Sequence, residues 1–238
     1  MSGPDRIADE AGRERPGAGV HPAGMPLVIA VDGPAAAGKG TLARRLAAAL
    51  GLPYLDTGLL YRATGRRVLG HGADPRDPAA AEAAARGLTP ADLARADLRG
   101  PEADMAASAV AAIPVVRTAL LDWQRDFGRR HGAVLDGRDI GTVVFPEAPV
   151  KLFVTASPEE RARRRFLELR ARGAAADPAQ VLAELQARDE QDSRRAVAPL
   201  VPAADAAVLD TTALDAEAAF AAAMAVITER LREVSPLA

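Results

Sequence analysis

The 238-residue chain has no cysteine. Disulfides and thiolate metal sites are therefore excluded. Aromatic residues make up only 3%, and alanine supplies much of the 49% hydrophobic content. That balance favours closely packed helices over an aromatic-rich β fold. Charge of neither sign dominates: the formal net charge is −2, which gives no global field towards nucleic acid or a membrane surface. No apolar run approaches the ~20 residues of a membrane span. Residues 1–24 mix proline, glycine, arginine and acids without an apolar core. That excludes a secretory signal and predicts a disordered tail ahead of a single domain over residues 25–238. A cytoplasmic, soluble monomer is the expectation, with no nucleic acid and no membrane as partner.

What is present is an alternation of strands and helices. Leu27 to Val31 is a short, continuous apolar run, the pattern of a strand buried on both faces. Leu42, Leu46 and Leu50 recur at helical spacing, and Gly51 is a stop. Pro53 to Leu55 is a weak second strand, and residues 59–69 have a helical pattern. Pro114 fits the first turn of a helix running to about His131, with Val116, Leu120, Trp123 and Phe127 on one side. Ala133 to Leu135, Val150 to Val154 and Ala206 to Leu209 are strand-like. Helices are predicted near 158–172, 178–192 and 215–232. Strands separated by helices predict a three-layer α/β fold with a five-stranded parallel sheet.

Residues 31–46 read VDGPAAAGKGTLARRL. Gly33-Pro34-Ala35-Ala36-Ala37-Gly38-Lys39 matches G-x-x-x-x-G-K, after a strand and before a helix, the context a phosphate-binding loop needs. Small side chains let the backbone curl so that several N–H groups point inward. The helix N-terminus and Lys39 add positive charge. The plainer alternative is a glycine-rich turn. One position deviates: Gly40, not Ser or Thr, follows the lysine, and Thr41 comes one later. A hydroxyl on Mg²⁺ from that slot is absent, so the metal is expected to be held mainly by phosphates and water.

The G-K-G-T ending resembles nucleoside monophosphate kinases. Leu55-Asp56-Thr57-Gly58, Tyr61-Arg62 and the run from Leu135 to Pro146, LDGRDIGTVVFP, narrow this. So do Arg188-Asp189-Glu190-Gln191-Asp192 and the run from Arg194 to Leu200, RRAVAPL. From about residue 26 to the C-terminus the chain resembles the bacterial cytidylate kinases. The resemblance implies transfer of a phosphoryl group from ATP to CMP or dCMP. It also implies that Thr57, Tyr61, Arg62, Arg138 and Arg195 contact the acceptor phosphate. By the same resemblance Ser108, Arg117 and Asp139 read cytosine, and Arg188 and Asp192 contact the ribose.

The residue types suit that chemistry. Phosphoryl transfer brings two anionic ligands together in line. An acceptor phosphate is already ionised, so no general base is needed; positive charge and exclusion of water are. Arginine forks match phosphate oxygens. Arg62 and Arg138 each sit just past a strand's carboxyl end, where open α/β sheets bind ligands. For cytosine, a carboxylate accepts the amino proton and an arginine serves the acceptors. Asp136 follows a strand and reads either as a turn residue or as a group acting on Mg²⁺ through water. Arg188, Asp192 and Arg195 share helical spacing, which also suits a salt-bridge ladder.

The run from Glu159 to Arg165, EERARRR, is densely basic. A nucleic-acid patch and a solvated helix are two readings of it. Its place after a strand favours a third, a short kinase lid over about 157–176 with its tip at Gly173 to Ala176. Arg164 is the first choice to face ATP and Arg161 the second. The family usually inserts a small β-sheet unit between the Tyr-Arg motif and the helix of Ser108. Here residues 70–100 are rich in Ala, Pro and Asp, so a truncated, helical or loose acceptor insert is expected. The alternatives are a kinase of another small acceptor, such as UMP or shikimate, and a non-catalytic nucleotide-binding module.

Overall fold

The computed structural model describes residues 26–234; the tail expected over residues 1–24 lies outside the described residues. Strand β1 (Val28–Asp32) is buried along its whole length, as its unbroken apolar run requires. Helix α1 (Lys39–Leu50) buries Leu42 and Leu46 and ends on Gly51, whose φ of 65° closes the last turn. After β2 (Tyr54–Asp56) comes α2 (Thr57–Gly70), with the Asp56 carboxylate accepting the Leu59 N–H at 3.2 Å. Helices α3 (Pro78–Arg86) and α4 (Pro90–Leu93) fill the 70–100 stretch, which holds no strand. Then follow α5 (Pro101–Ala111), α6 (Pro114–His131) and β3 (Ala133–Asp136). A π-helical turn, Ile140–Val144, leads to β4 (Val150–Thr155), α7 (Pro158–Ala171), α8 (Pro178–Ser193), β5 (Ala207–Asp210) and α9 (Ala216–Val234).

Six of these helices begin with proline, where its missing N–H costs no hydrogen bond and its fixed φ suits the first turn. Asp77, Ser157 and Asp177 precede three of them and cap free N–H groups. These starts are written locally; α1, α2, α6, α7, α8 and α9 fall where the sequence predicts them, whereas α3, α4 and α5 have no such spacing signal.

The sheet is parallel throughout, in the order β2-β3-β1-β4-β5. One face packs Ile29 and Val31 against Leu42 and Leu46 of α1 and Ala223 and Ile227 of α9. The other packs Val28, Ala30 and Leu135 against Val144 and Phe145, with Trp123 and Phe127 of α6 at the edge. A third cluster joins α2, α3, α5 and α6 through Leu60, Val116 and many alanines. There the helices run close: a Cβ on Gly65 of α2 would lie 2.7 Å from the Ala106 Cβ of α5. The alanine-rich composition thus serves interhelical approach. No single helix among the described residues is long and apolar enough to cross a membrane.

Register places the site. Val31 pairs with Asp136, Asp56 with Asp136, and Asp32 with Phe153, so the carboxyl ends of the central strands lie side by side. The loop after β1 emerges where the chain departs to either side of the sheet, the usual ligand crevice of such folds.

Candidate active site

The loop after β1 depends on glycine at its start. Gly33 has φ 144°, and a Cβ there would lie 1.9 Å from the Val154 carbonyl oxygen. The loop then turns through Ala36 (φ 58°) and Gly38 (φ 86°) into α1. Lys39 is buried; its Nζ donates to the Pro34 carbonyl at 2.9 Å and lies 3.8 Å from an Asp136 oxygen. Burial, seconded by the nearby Arg138 charge, lowers the Lys39 ammonium to about 8. The amine is cationic below that pH and neutral above it. We therefore expect kcat/KM for ATP to fall as pH rises through about 8, with a slope approaching tenfold per pH unit. A pH profile at saturating acceptor checks this; a flat profile to pH 10 contradicts it.

Opposite the loop lies a cavity of about 260 Å³. Its walls include Ala35, Ala36, Lys39 and Gly40 of the loop, and Asp136 and Arg138 beyond β3. Thr57, Tyr61, Arg62, Ser108, Arg117, Asp139, Arg188, Asp192 and Arg195 complete the sequence-derived set on the same walls. Ala37, Gly38, Thr41 and Arg164 instead line a second cavity of about 300 Å³ on the other side of the loop, with Thr211 and Leu214. Arg164 donates to the Thr211 carbonyl at 2.6 Å and stands against Gly38. Arg161 lines neither cavity. It is buried behind the loop, donating to the Ala35 carbonyl at 3.3 Å and pairing with Asp189 at 2.7 Å.

The charges in the first cavity are organised in pairs. Asp192 takes the Arg138 Nε at 2.9 Å on one oxygen and Arg195 on the other. Burial opposes the Asp192 charge, but the surrounding arginines win and hold it below the usual carboxylate range. Arg117 pairs with Asp139, both nearly buried, and its guanidinium lies 5.5 Å from the Tyr61 ring centre. Arg62 pairs with Asp56 at 2.7 Å, and the Thr57 hydroxyl donates to the Asp136 carbonyl at 2.7 Å. Burial pushes the Asp136 carboxyl up, against the pull of Lys39. The Nε atoms of Arg62, Arg188 and Arg195 are buried without a hydrogen-bond partner. Leaving three such donors unpaired is costly, and all three residues line the same cavity. Burial, with the neighbouring Arg138 charge, correspondingly depresses Arg188.

Two expectations change. Arg161, the second choice to face ATP, is instead held behind the loop by the Ala35 carbonyl and Asp189. Arg195 does not share the helical face of Arg188 and Asp192, because α8 ends at Ser193. It reaches Asp192 from the following turn. The sequence assigned no role to four further cavity or support residues, three of which lie inside the motifs themselves. Asp104 pairs with Arg165 at 2.6 Å and stands 3.8 Å from Arg188. Gln191 accepts the Ser108 hydroxyl at 2.9 Å. Asp32 and Asp56 are the others. Asp104 lies four residues before Ser108, one helical turn, which was a usable signal; Gln191 had none beyond its place beside Asp192.

A phosphate-binding loop on a parallel sheet, with an arginine-lined cavity facing its lysine, defines a P-loop kinase. The chain belongs to the cytidylate kinase family, whose profile matches residues 29–229. It is 66% identical over 206 residues to the cytidylate kinase of Granulibacter bethesdensis, covering 87% of this chain and 99% of that protein. The cytidylate kinases of Acidiphilium cryptum and Paramagnetospirillum magneticum are 65% and 64% identical, over 87% and 85% of this chain and 97% and 98% of theirs. Among solved structures, TT1252 from Thermus thermophilus aligns over 86% of this chain and 98% of its own at 24% identity, with a TM-score of 0.42. At that score the fold rests on the strand order given above.

Proposed function

We propose that the chain transfers the γ-phosphoryl group of ATP to CMP or dCMP, giving ADP and CDP or dCDP. The observation that carries this is one cavity lined both by Lys39 of the loop and by the arginines Arg62, Arg138, Arg188 and Arg195. Arg62, Arg138 and Arg195, with Thr57 and Tyr61, hold the acceptor phosphate. Ser108, Arg117 and Asp139 read the base, and Arg188 and Asp192 hold the ribose. The loop from Gly33 to Thr41 takes the ATP phosphates, and the second cavity, bounded by Arg164, takes the rest of ATP. Arg161 braces the loop through Ala35. Lys39, Arg138 and Arg164 then surround the transferring group with charge fixed before reaction, which favours the transition state over the ground state.

Mg²⁺ fits the site as an ion held mainly by phosphates and water. Among the described residues no group of three or more His, Asp or Glu could hold a metal by itself. A Cβ at Gly40 would come 3.0 Å from Asp136 Oδ2. The slot usually given to a hydroxyl is thus occupied by a carboxylate, and Asp136 would orient water ligands of the ion. Bound there, Mg²⁺ neutralises charge on the phosphates. Gly40→Ser is expected to displace Asp136 and lower kcat about tenfold, with little change in the KM for CMP. Restored or raised activity in Gly40→Ser would contradict this arrangement.

We further read α7 and the turn after it, about residues 157–176, as the lid, residues 70–100 as a truncated acceptor insert, and the working unit as a monomer. One coupled assay of ADP formation tests the function, with CMP, dCMP, UMP, AMP, GMP and shikimate as acceptors and with and without Mg²⁺. CMP and dCMP are expected to be the best acceptors. Preference for any other acceptor overturns the reading.

A further inference from the structure

Asp32 is a buried acid that lines neither cavity. It is the last residue of β1, immediately before the loop glycine Gly33. Its Oδ1 accepts the Ile140 N–H at 2.8 Å and its Oδ2 accepts the Gly141 N–H at 2.7 Å. Those two amides open the π-helical turn that directly follows Arg138 and Asp139. Both carboxylate oxygens are therefore used to join two segments 108 and 109 residues apart. One segment starts the phosphate-binding loop. The other carries the acceptor-phosphate arginine and the base-reading acid.

We infer that Asp32 is a positioning residue that fixes the acceptor loop against the ATP loop, so that the two substrates are held in register for transfer. A carboxyl group accepts both N–H groups, one on each oxygen, and these two bonds pull its pKa down against the burial that raises it. An asparagine accepts one and sets its NH₂ against the other. Hydrophobic burial alone does not account for the acid: burial drives its carboxyl up to about 7. With the folded value raised above the unfolded one, the stability it contributes is lost as pH rises through about 7. The fold keeps an acid there at a cost in stability at neutral pH, which suits a positional role.

This rests on Arg138 and Asp139 contacting the acceptor. The test is Asp32→Asn in the full chain, with kcat and both KM values measured separately. Ile227→Ala in α9, a core truncation on the opposite face, serves as a control that lowers stability only. In Asp32→Asn kcat is expected to fall about tenfold and the KM for CMP to rise about tenfold, because misplaced reactants lose both transfer and binding. Ile227→Ala is expected to lower Tm and leave kcat and both KM values at wild type. An unchanged kcat or KM for CMP in Asp32→Asn, whatever its Tm, overturns the inference. A second measurement needs no variant: amide exchange at Ile140 and Gly141 in the wild type should slow about fivefold or more when a non-hydrolysable ATP analogue alone is added. Unchanged exchange overturns the inference even where Asp32→Asn fails to fold. If the wild type does not phosphorylate CMP, the functional reading fails. If it does, and the variant keeps its kcat or its KM for CMP, only the positioning role fails.

Discussion

Lys39→Met is expected to abolish most turnover without weakening the fold. The ammonium is buried, held by one carbonyl and standing 3.8 Å from Asp136, and it faces a cavity where charge gathers on the transferring group. Removing one strong, preorganised electrostatic contact costs at least ~10²-fold in kcat, about 2.7 kcal/mol. Lys39→Ala should lose as much, since charge and not chain length is at issue. Stability should move the other way. Burial lowers the amine's folded value to about 8, so its neutral form is favoured in the fold; the stability that this shift contributes is full above the unfolded value of 10.5 and lost as pH falls through about 8. At pH 7 the fold therefore carries an unfavourable buried charge that methionine relieves. Kinetics and thermal melts at pH 7 decide it. Near-wild-type turnover in Lys39→Met removes the phosphate-loop assignment, and a large drop in its Tm shows that the lysine is instead a structural tie to Pro34.

The second large effect concerns base choice. Asp139→Asn changes a pure acceptor into a group that also donates. Cytosine loses a charge-assisted bond of about 1.5–3 kcal/mol, and the amide can turn its NH₂ towards a uracil carbonyl. The preference for CMP over UMP in kcat/KM is expected to shrink by about 10- to 100-fold, mostly through poorer use of CMP. The Arg117 guanidinium loses its ionised partner in the same step, with both side chains under a tenth exposed, so Tm is expected to fall as well. The ratio of the two acceptors within one preparation cancels any loss of folded enzyme. The KM for ATP should stay near wild type, because the second cavity lies on the other side of the loop. A mutant that keeps the wild-type CMP:UMP ratio shows that Asp139 orients Arg117 and Arg138 and does not read the base.

Much of this chain was legible without coordinates because its decisive signals are local. The run at β1, the leucine stripe of α1, Gly51 at its end and the prolines that open six helices each act within a few residues. So does the loop itself, whose glycines and lysine need only a strand before and a helix after. Composition also spoke plainly: alanine without aromatics predicted helices that approach as closely as α2 and α5 do at Gly65 and Ala106.

Other features depend on which strand lies beside which. The order β2-β3-β1-β4-β5 puts β3 next to β1, and that adjacency alone brings Asp32 to the amides of Ile140 and Gly141. Spacing put Arg195 on the face of α8, but the helix stops at Ser193, and the arginine returns to Asp192 from the turn. The basic run of α7 gave only a ranking, Arg164 before Arg161, and no placement of either. The fold buries Arg161 behind Ala35, sets Arg164 against Gly38 and pairs Arg165 with Asp104 of a distant helix. The sequence by itself determined the five strands, six of the helices, the phosphate loop and most of the charged set, since backbone propensity and periodicity act over a turn or two. Only the tertiary structure decided which charge meets which, because ion-pair partners across the cavity are chosen by strand order and register, and these are set by burial of the whole sheet.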